Sequence, residues 1–132
     1  MKVKVTPSKV SGNVKIPASK SMAHRALICA SLSDGTSIVS NVTNSKDIEA
    51  TVGCMKALGA IIKQIDETTY EVTGTNLFKQ EGNITCNANE SGSTLRFLIP
   101  LAACTNAKVK FLGQGRLLQR PMDVYANEFK KQ

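Results

Sequence analysis

The stretch Gly12-Asn13-Val14-Lys15-Ile16-Pro17-Ala18-Ser19-Lys20-Ser21 returns 70 residues later as Gly82-Asn83-Ile84-Thr85-Cys86-Asn87-Ala88-Asn89-Glu90-Ser91, and this pairing decides the fold. Gly, Asn, Ala and Ser recur in place, and Ile84 stands where Val14 stood. Each copy reads as a β-like run that gives way to a helix start, with serines placed to cap it. The segments after the two copies also match. A helix from Ser21 to about Leu32 precedes a β-branched strand at Thr36–Ser40, and a helix from Leu95 to about Cys104 precedes a strand at Ala107–Leu112. Two strands and two helices recurring in one order mark a repeated unit.

The first unit extends further. Met22, Ala23, Ala26, Leu27 and Ala30 give its first helix an apolar face, and Asp34-Gly35 ends it. Asn44, with Asp47 three residues later, reads as a variant capping box for a second helix with the stripe Ile48, Val52, Met55 and Leu58, closed by Gly59. Ile61–Ile65 and Thr69–Thr73 read as strands around the turn Asp66-Glu67-Thr68. With a strand at 12–16, residues 12–81 form one βαβαββ unit, preceded by a strand region at 1–11 that alternates over 2–6. Residues 82–132 begin a second unit. Its helix at Leu95, apolar on most sides, is expected to be buried, and Pro121 to open a further helix at position N1 through Val124, Tyr125 and Phe129. The predicted class is therefore α/β (α+β), with about one and a half βαβαββ units of a larger architecture.

At 132 residues the chain holds one core, and its ordinary apolar content argues against disorder. Seventeen Lys and Arg against ten Asp and Glu give a net charge of +7, which points to an anionic partner. Nucleic acid, an acidic membrane surface and a phosphorylated metabolite all fit charge alone. The spread of the basic residues favours the metabolite, because the densest run is only Lys130-Lys131. The cysteines at 29, 54, 86 and 104 form no C-x-x-C pair, and His24 stands at no metal-ligand spacing from them, so no metal is expected. Three of the four lie in apolar runs and read as buried, reduced thiols. The alternating start Met1-Lys2-Val3-Lys4-Val5 lacks the apolar core of a signal peptide, and no apolar run reaches membrane-spanning length. A cytoplasmic protein is expected.

Polar residues gather at three strand-to-helix transitions. In Lys20-Ser21-Met22-Ala23-His24-Arg25, Ser21 and Arg25 share a helix face, with Lys20 at the helix N-terminus, where free N–H groups and the helix dipole favour an anion. Glu90-Ser91-Gly92-Ser93-Thr94-Leu95-Arg96 places a glycine, hydroxyls and a guanidinium at the equivalent corner. The third cluster, Gly113-Gln114-Gly115-Arg116-Leu117-Leu118-Gln119-Arg120-Pro121, is a glycine loop with two arginines. Such transitions fall along one edge of a layered α/β unit, so together they outline a site for small anions. His24, alone on its turn, reads as a packing or surface residue instead of a general base.

With these motifs laid out, the chain resembles the enolpyruvyl transferases, and among them most closely the EPSP synthase (3-phosphoshikimate 1-carboxyvinyltransferase) family. The likeness rests on Pro17 to Arg25, Glu90 to Arg96 and Arg116 to Pro121, whose order and spacing cover nearly the whole chain. It implies transfer of the enolpyruvyl group of phosphoenolpyruvate to the 5-hydroxyl of shikimate 3-phosphate, with release of phosphate, on the route to chorismate and the aromatic amino acids. The reaction runs by addition and elimination through a tetrahedral intermediate, with no metal and no cofactor. By the same resemblance Lys20 touches both substrates and is the catalytic residue of this segment. Ser21 and Arg25 bind shikimate 3-phosphate, Gly92 and Arg116 bind phosphoenolpyruvate, and Asp47, Arg96 and Arg120 support them. Gly92 is also the position at which the family is sensitive to glyphosate, which competes with phosphoenolpyruvate. The family fold implies two domains of three βαβαββ units each around a cleft, usually as a monomer. Acid and base residues from the second domain lie outside this sequence, so the chain alone is expected to be inactive and, with apolar surface exposed, to self-associate.

Two positions depart from the family pattern: Glu90 stands where many members have Asn, and Phe97 where proline is frequent. Two alternatives fit less well. The peptidoglycan enzyme UDP-N-acetylglucosamine 1-carboxyvinyltransferase usually carries Lys-Asn in place of Lys20-Ser21 and a reactive loop cysteine, whereas residues 113–121 contain no cysteine. A small basic nucleic-acid-binding module, suggested by the repeat shared with RNA 3′-phosphate cyclases, needs stacking aromatics or a basic stripe, and Tyr70, Phe78 and Phe111 are scattered.

Overall fold

The computed structural model describes residues 2–14 and 16–131. Helices α1 (Lys20–Leu32), α2 (Lys46–Ala57), α3 (Gly92–Ala102) and α4 (Asp123–Phe129) alternate with strands β1 (Thr36–Val39), β2 (Ile61–Gln64), β3 (Tyr70–Thr73), β4 (Asn83–Asn87) and β5 (Lys108–Leu112). The strands form two small sheets. One is antiparallel in the order β1-β3-β2, with Thr36 and Ile61 both opposite Thr73. The other pairs β4 with β5 in parallel, Asn83 opposite Lys108 and Asn87 opposite Leu112. A parallel pair needs a crossover, and α3 supplies it. The α/β character and the mixed βα order expected from the repeat are therefore present.

Helix α2 ties the two sheets together, packing on β2 and β4 as well as on α1 and α3. Its start is capped by Ser45, whose hydroxyl accepts from the Ile48 N–H at 3.4 Å. Its end is a Schellman turn: with Gly59 at φ +101°, Gly59 N–H donates to the Lys56 carbonyl and Ala60 N–H to that of Met55. Leu27, Ile48, Cys54, Met55, Leu58, Val72, Cys86 and Leu98 form the centre of one core. Strand alternation fits it: Tyr70, Val72 and Ile62 point inward, while Ile38 and Ile61 face solvent.

Several expectations need correction. Residues 2–6 and 12–16 form no strand among the described residues, Lys15 lying outside them, and Val3, Val5, Val10, Val14 and Ile16 are exposed. Alternation fits a residue to a sheet, but a strand needs a partner ladder, and no described strand supplies one. The two copies consequently differ: β5 pairs with the strand before its helix, and β1 pairs with β3 instead. Helix α1 is also rotated relative to the predicted face. Ala23, His24, Leu27, Ile28, Ala30 and Ser31 are buried, while Met22 and Ala26 are exposed.

Asn44 is not the cap of α2; its side chain donates to the Glu67 carbonyl and accepts from the Tyr70 hydroxyl. Helix α3 buries one side only, with Leu98 fully covered and Phe97 and Leu101 partly buried against the core. Pro100 lies inside it and cannot donate to the Arg96 carbonyl, so the Tyr125 hydroxyl of α4 donates there instead, at 3.1 Å. Pro121 precedes α4 by two residues and does not occupy its first turn. Of the thiols, Cys54 and Cys86 are buried and Cys29 and Cys104 exposed, so lying in an apolar run did not decide burial.

Candidate functional site

Three helix N-termini meet on one side of the molecule. Ser19 caps α1, its Oγ accepting from the Met22 N–H at 3.4 Å, and Lys20 is the first helical residue. Asp47 lies in the first turn of α2, and its carboxylate holds the Lys20 ammonium at 3.4 Å. Ser91 caps α3, accepting from the Thr94 N–H at 3.2 Å, so that Gly92 opens that helix. The partial positive ends of three helices thereby stand beside one ammonium.

A buried chain of hydroxyls fixes this meeting point. His24 Nδ1 and Thr51 Oγ1 are 2.7 Å apart, and Thr51 Oγ1 and Thr94 Oγ1 are 2.7 Å apart. The Thr94 hydroxyl donates to Ser91 Oγ at 2.7 Å, with the Asp47 carbonyl at 3.3 Å. That donor order places the ring proton of a neutral His24 on Nδ1, donating to Thr51. His24, Thr51, Ser91 and Thr94 are all buried, and among the described residues no buried side-chain polar atom lacks a partner. Burial is the main cause that lowers the His24 pKa, aided by the nearby Lys20 and Arg25 charges and opposed by Asp47. His24 is therefore a packing residue, as expected, but an interior one that joins α1 to α2 and, through Thr51, to α3. The sequence reading missed Thr51 and the role of Thr94; only their small polar character on otherwise apolar helix faces hints at them.

The loop after β5 is pinned against the corner after β4. Ala88 N–H donates to the Leu112 carbonyl and Gln114 N–H to the Asn89 carbonyl, both at 2.8 Å. The corner itself turns through Asn89 at φ +49°. This places the third motif at the carboxyl ends of the parallel strands, where open α/β sheets bind ligands. The guanidinium of Arg120 lies directly against Gly92, so close that a side chain at Gly92 would have to displace it. Glu90, the departure from the family pattern, rests its carboxylate against Gly115. An open cleft of about 590 Å³ runs beside these groups, lined by Lys46, Asp47, Glu49, Asn89, Glu90 and Gln114.

Of the residues singled out in the sequence, the structure joins Lys20 to Asp47 and Gly92 to Arg120 by direct contact. Ser21 is exposed beside Lys20, and its carbonyl accepts from Arg25 Nη1 at 2.9 Å. Arg116 is exposed on the short 3₁₀ turn Gly115–Gln119, and no side-chain hydrogen bond or ion pair among the described residues ties it to Gly92. The arginine in direct contact with Gly92 is Arg120. Arg96 has its backbone carbonyl held by Tyr125. No helix of the described residues is long and apolar enough to cross a membrane.

Comparison with known proteins shows the family and the fold. The chain is 50% identical over 131 residues to a 3-phosphoshikimate 1-carboxyvinyltransferase of Clostridium perfringens, covering 99% of this chain and 31% of that protein. It is 47% identical to the protein of the same name from Clostridioides difficile, covering 98% of this chain and 32% of that one. The chain thus spans about a third of the length of these relatives. Its fold matches an EPSP synthase from Acinetobacter baumannii with a TM-score of 0.73 at 20% identity, over 90% of this chain and 27% of that one. The family model for EPSP synthase (3-phosphoshikimate 1-carboxyvinyltransferase) matches residues 4–132, and the chain belongs to that family.

Proposed function

We propose that this chain carries one face of the substrate site of a cytoplasmic enzyme that transfers the enolpyruvyl group of phosphoenolpyruvate to the 5-hydroxyl of shikimate 3-phosphate and releases phosphate. The observation that carries the reading is the meeting of three helix N-termini at Lys20, Asp47 and Gly92, with Arg120 against Gly92. Both substrates are compact polyanions, and such a corner offers them N–H groups, helix dipoles, an ammonium and a guanidinium without a metal.

Lys20, oriented by Asp47, bridges the two substrates and stabilises the charge that grows on the reacting oxygens. Ser21 and Arg25 hold the shikimate phosphate. Gly92 lets phosphoenolpyruvate or glyphosate approach the α3 backbone, Arg116 holds one of its charged oxygens, and Arg120, which lies against Gly92, supports them. Residues 12–81, with no strand among the described residues at 12–16, act as the first repeat unit and residues 82–132 as the start of a second behind this face. The solvent-facing Ile38 and Ile61 support self-association of the isolated chain.

Titration of the ¹⁵N-labelled chain with shikimate 3-phosphate tests the site. Resonances of Lys20, Ser21 and Arg25 are expected to move first, and shifts confined to other regions overturn the assignment. The chain alone, a third of its relatives' length, is expected to release no phosphate from the two substrates. Steeply salt-dependent polynucleotide binding with no response to shikimate 3-phosphate would instead favour a nucleic-acid module.

A further inference from the structure

We propose that Phe97 is a positioning residue for Arg25, holding its guanidinium in the orientation that meets the phosphate of shikimate 3-phosphate; the proposal rests on the reading that Arg25 binds that substrate. The Arg25 guanidinium carbon on α1 lies 4.8 Å from the centroid of the Phe97 ring on α3, inside the range of a cation–π contact. The same guanidinium donates through Nη1 to the Ser21 carbonyl at 2.9 Å, one turn nearer the helix N-terminus. Ring and carbonyl together fold the side chain back along α1 toward Lys20 and Ser21. Phe97 is half-buried and packs against the core, so its ring is a firm platform, whereas Arg25 is exposed. No carboxylate among the described residues pairs with Arg25, which leaves its charge for a ligand.

An exposed arginine loses rotamer freedom when it grips an anion, and one already stacked has lost much of it beforehand. Proline, frequent at this position in the family by the resemblance described above, has no π face. Phe97 thus gives this chain a support for Arg25 that a proline cannot provide. It spans α1 and α3, so it also sets the arginine relative to the Gly92 corner.

NMR on the unaltered chain and on the F97L, F97Y and R25A variants tests this. In the unaltered chain the Arg25 side-chain protons are expected upfield of random-coil positions through the ring current of Phe97. F97L should lose that shift and bind shikimate 3-phosphate about two- to five-fold more weakly, the range expected for an exposed cation–π contact. F97Y should restore both, which mere filling of space would not require. Unaltered affinity in F97L, with affinity lost in R25A, overturns the role of Phe97 and leaves the site reading intact. A missing upfield shift in the unaltered chain overturns the stacking even if F97L fails to fold. An unaltered chain that binds no shikimate 3-phosphate, or an R25A variant that binds it equally well, overturns the site reading and this proposal with it.

Discussion

A methyl group added at Gly74 would run into the Ser33 carbonyl, which is backbone and cannot swing aside. The same methyl at Gly92 would meet the end of the Arg120 side chain, which can. Gly74→Ala is therefore expected to lower unfolding stability by about 1–3 kcal/mol, as overpacking does. Gly92→Ala should change it by less than about 0.5 kcal/mol while moving Arg120 and weakening the response of its resonances to phosphoenolpyruvate. Urea midpoints and Arg120 side-chain spectra check the pair; equal losses of stability, or an unmoved Arg120, would contradict it. The contrast also marks how far residue types could be read in advance. Gly92 stood out in its motif, but its neighbour Arg120 is brought in by the pairing of β4 with β5, which the motif does not contain. Gly74 had no motif at all, because its constraint comes from the end of α1.

At the scale of elements, α1, α2 and α3 are joined through one line of hydrogen bonds from His24 to Ser91, and this gives a pH dependence with a definite sign. The folded-state pKa of His24 is lowered, chiefly by burial, so the unfolded chain binds its proton more readily. Its contribution is fully present above the unfolded value of about 6.5 and is lost as pH falls through the folded value. The urea midpoint of the unaltered chain should therefore drop more steeply below about pH 6.5 than that of His24→Gln, which has no titrating ring. Parallel curves would show that His24 does not couple protonation to folding. Helix positions were legible in the sequence because capping is local: Ser19, Ser45 and Ser91 cap the three helices through their own side chains, the α2 cap one residue beyond the expected Asn44, and each helix begins within a few residues of its expected start. The strands at 2–6 and 12–16 were misread for the opposite reason, since pairing depends on a partner elsewhere in space.

On the scale of the whole molecule, the four cysteines report whether the core is one body. Cys54 on α2 and Cys86 on β4 are fully buried where the helix that bridges both sheets meets the parallel pair, and the Cys86 thiol lies 3.8 Å from the Cys54 carbonyl. Hydrogen bonding to Cys86 and burial push the Cys54 thiol far above the ordinary cysteine range, so it supplies almost no reactive thiolate. Cys29 and Cys104 are exposed. A disulfide reagent such as Ellman's should therefore label two thiols quickly in the native chain and all four in urea. The slow pair should react together, at the rate of global opening, because α2 cannot leave β4 without uncovering Leu58, Ile48 and Leu98 as well. The variants C29S and C104S should each remove one fast equivalent and leave the slow pair unchanged. Fast labelling of three or four thiols in the native chain would mean that the parallel pair opens independently of the antiparallel sheet. The Gly92 corner, which β4 and β5 position, would then lack the rigid support that the proposed anion site requires.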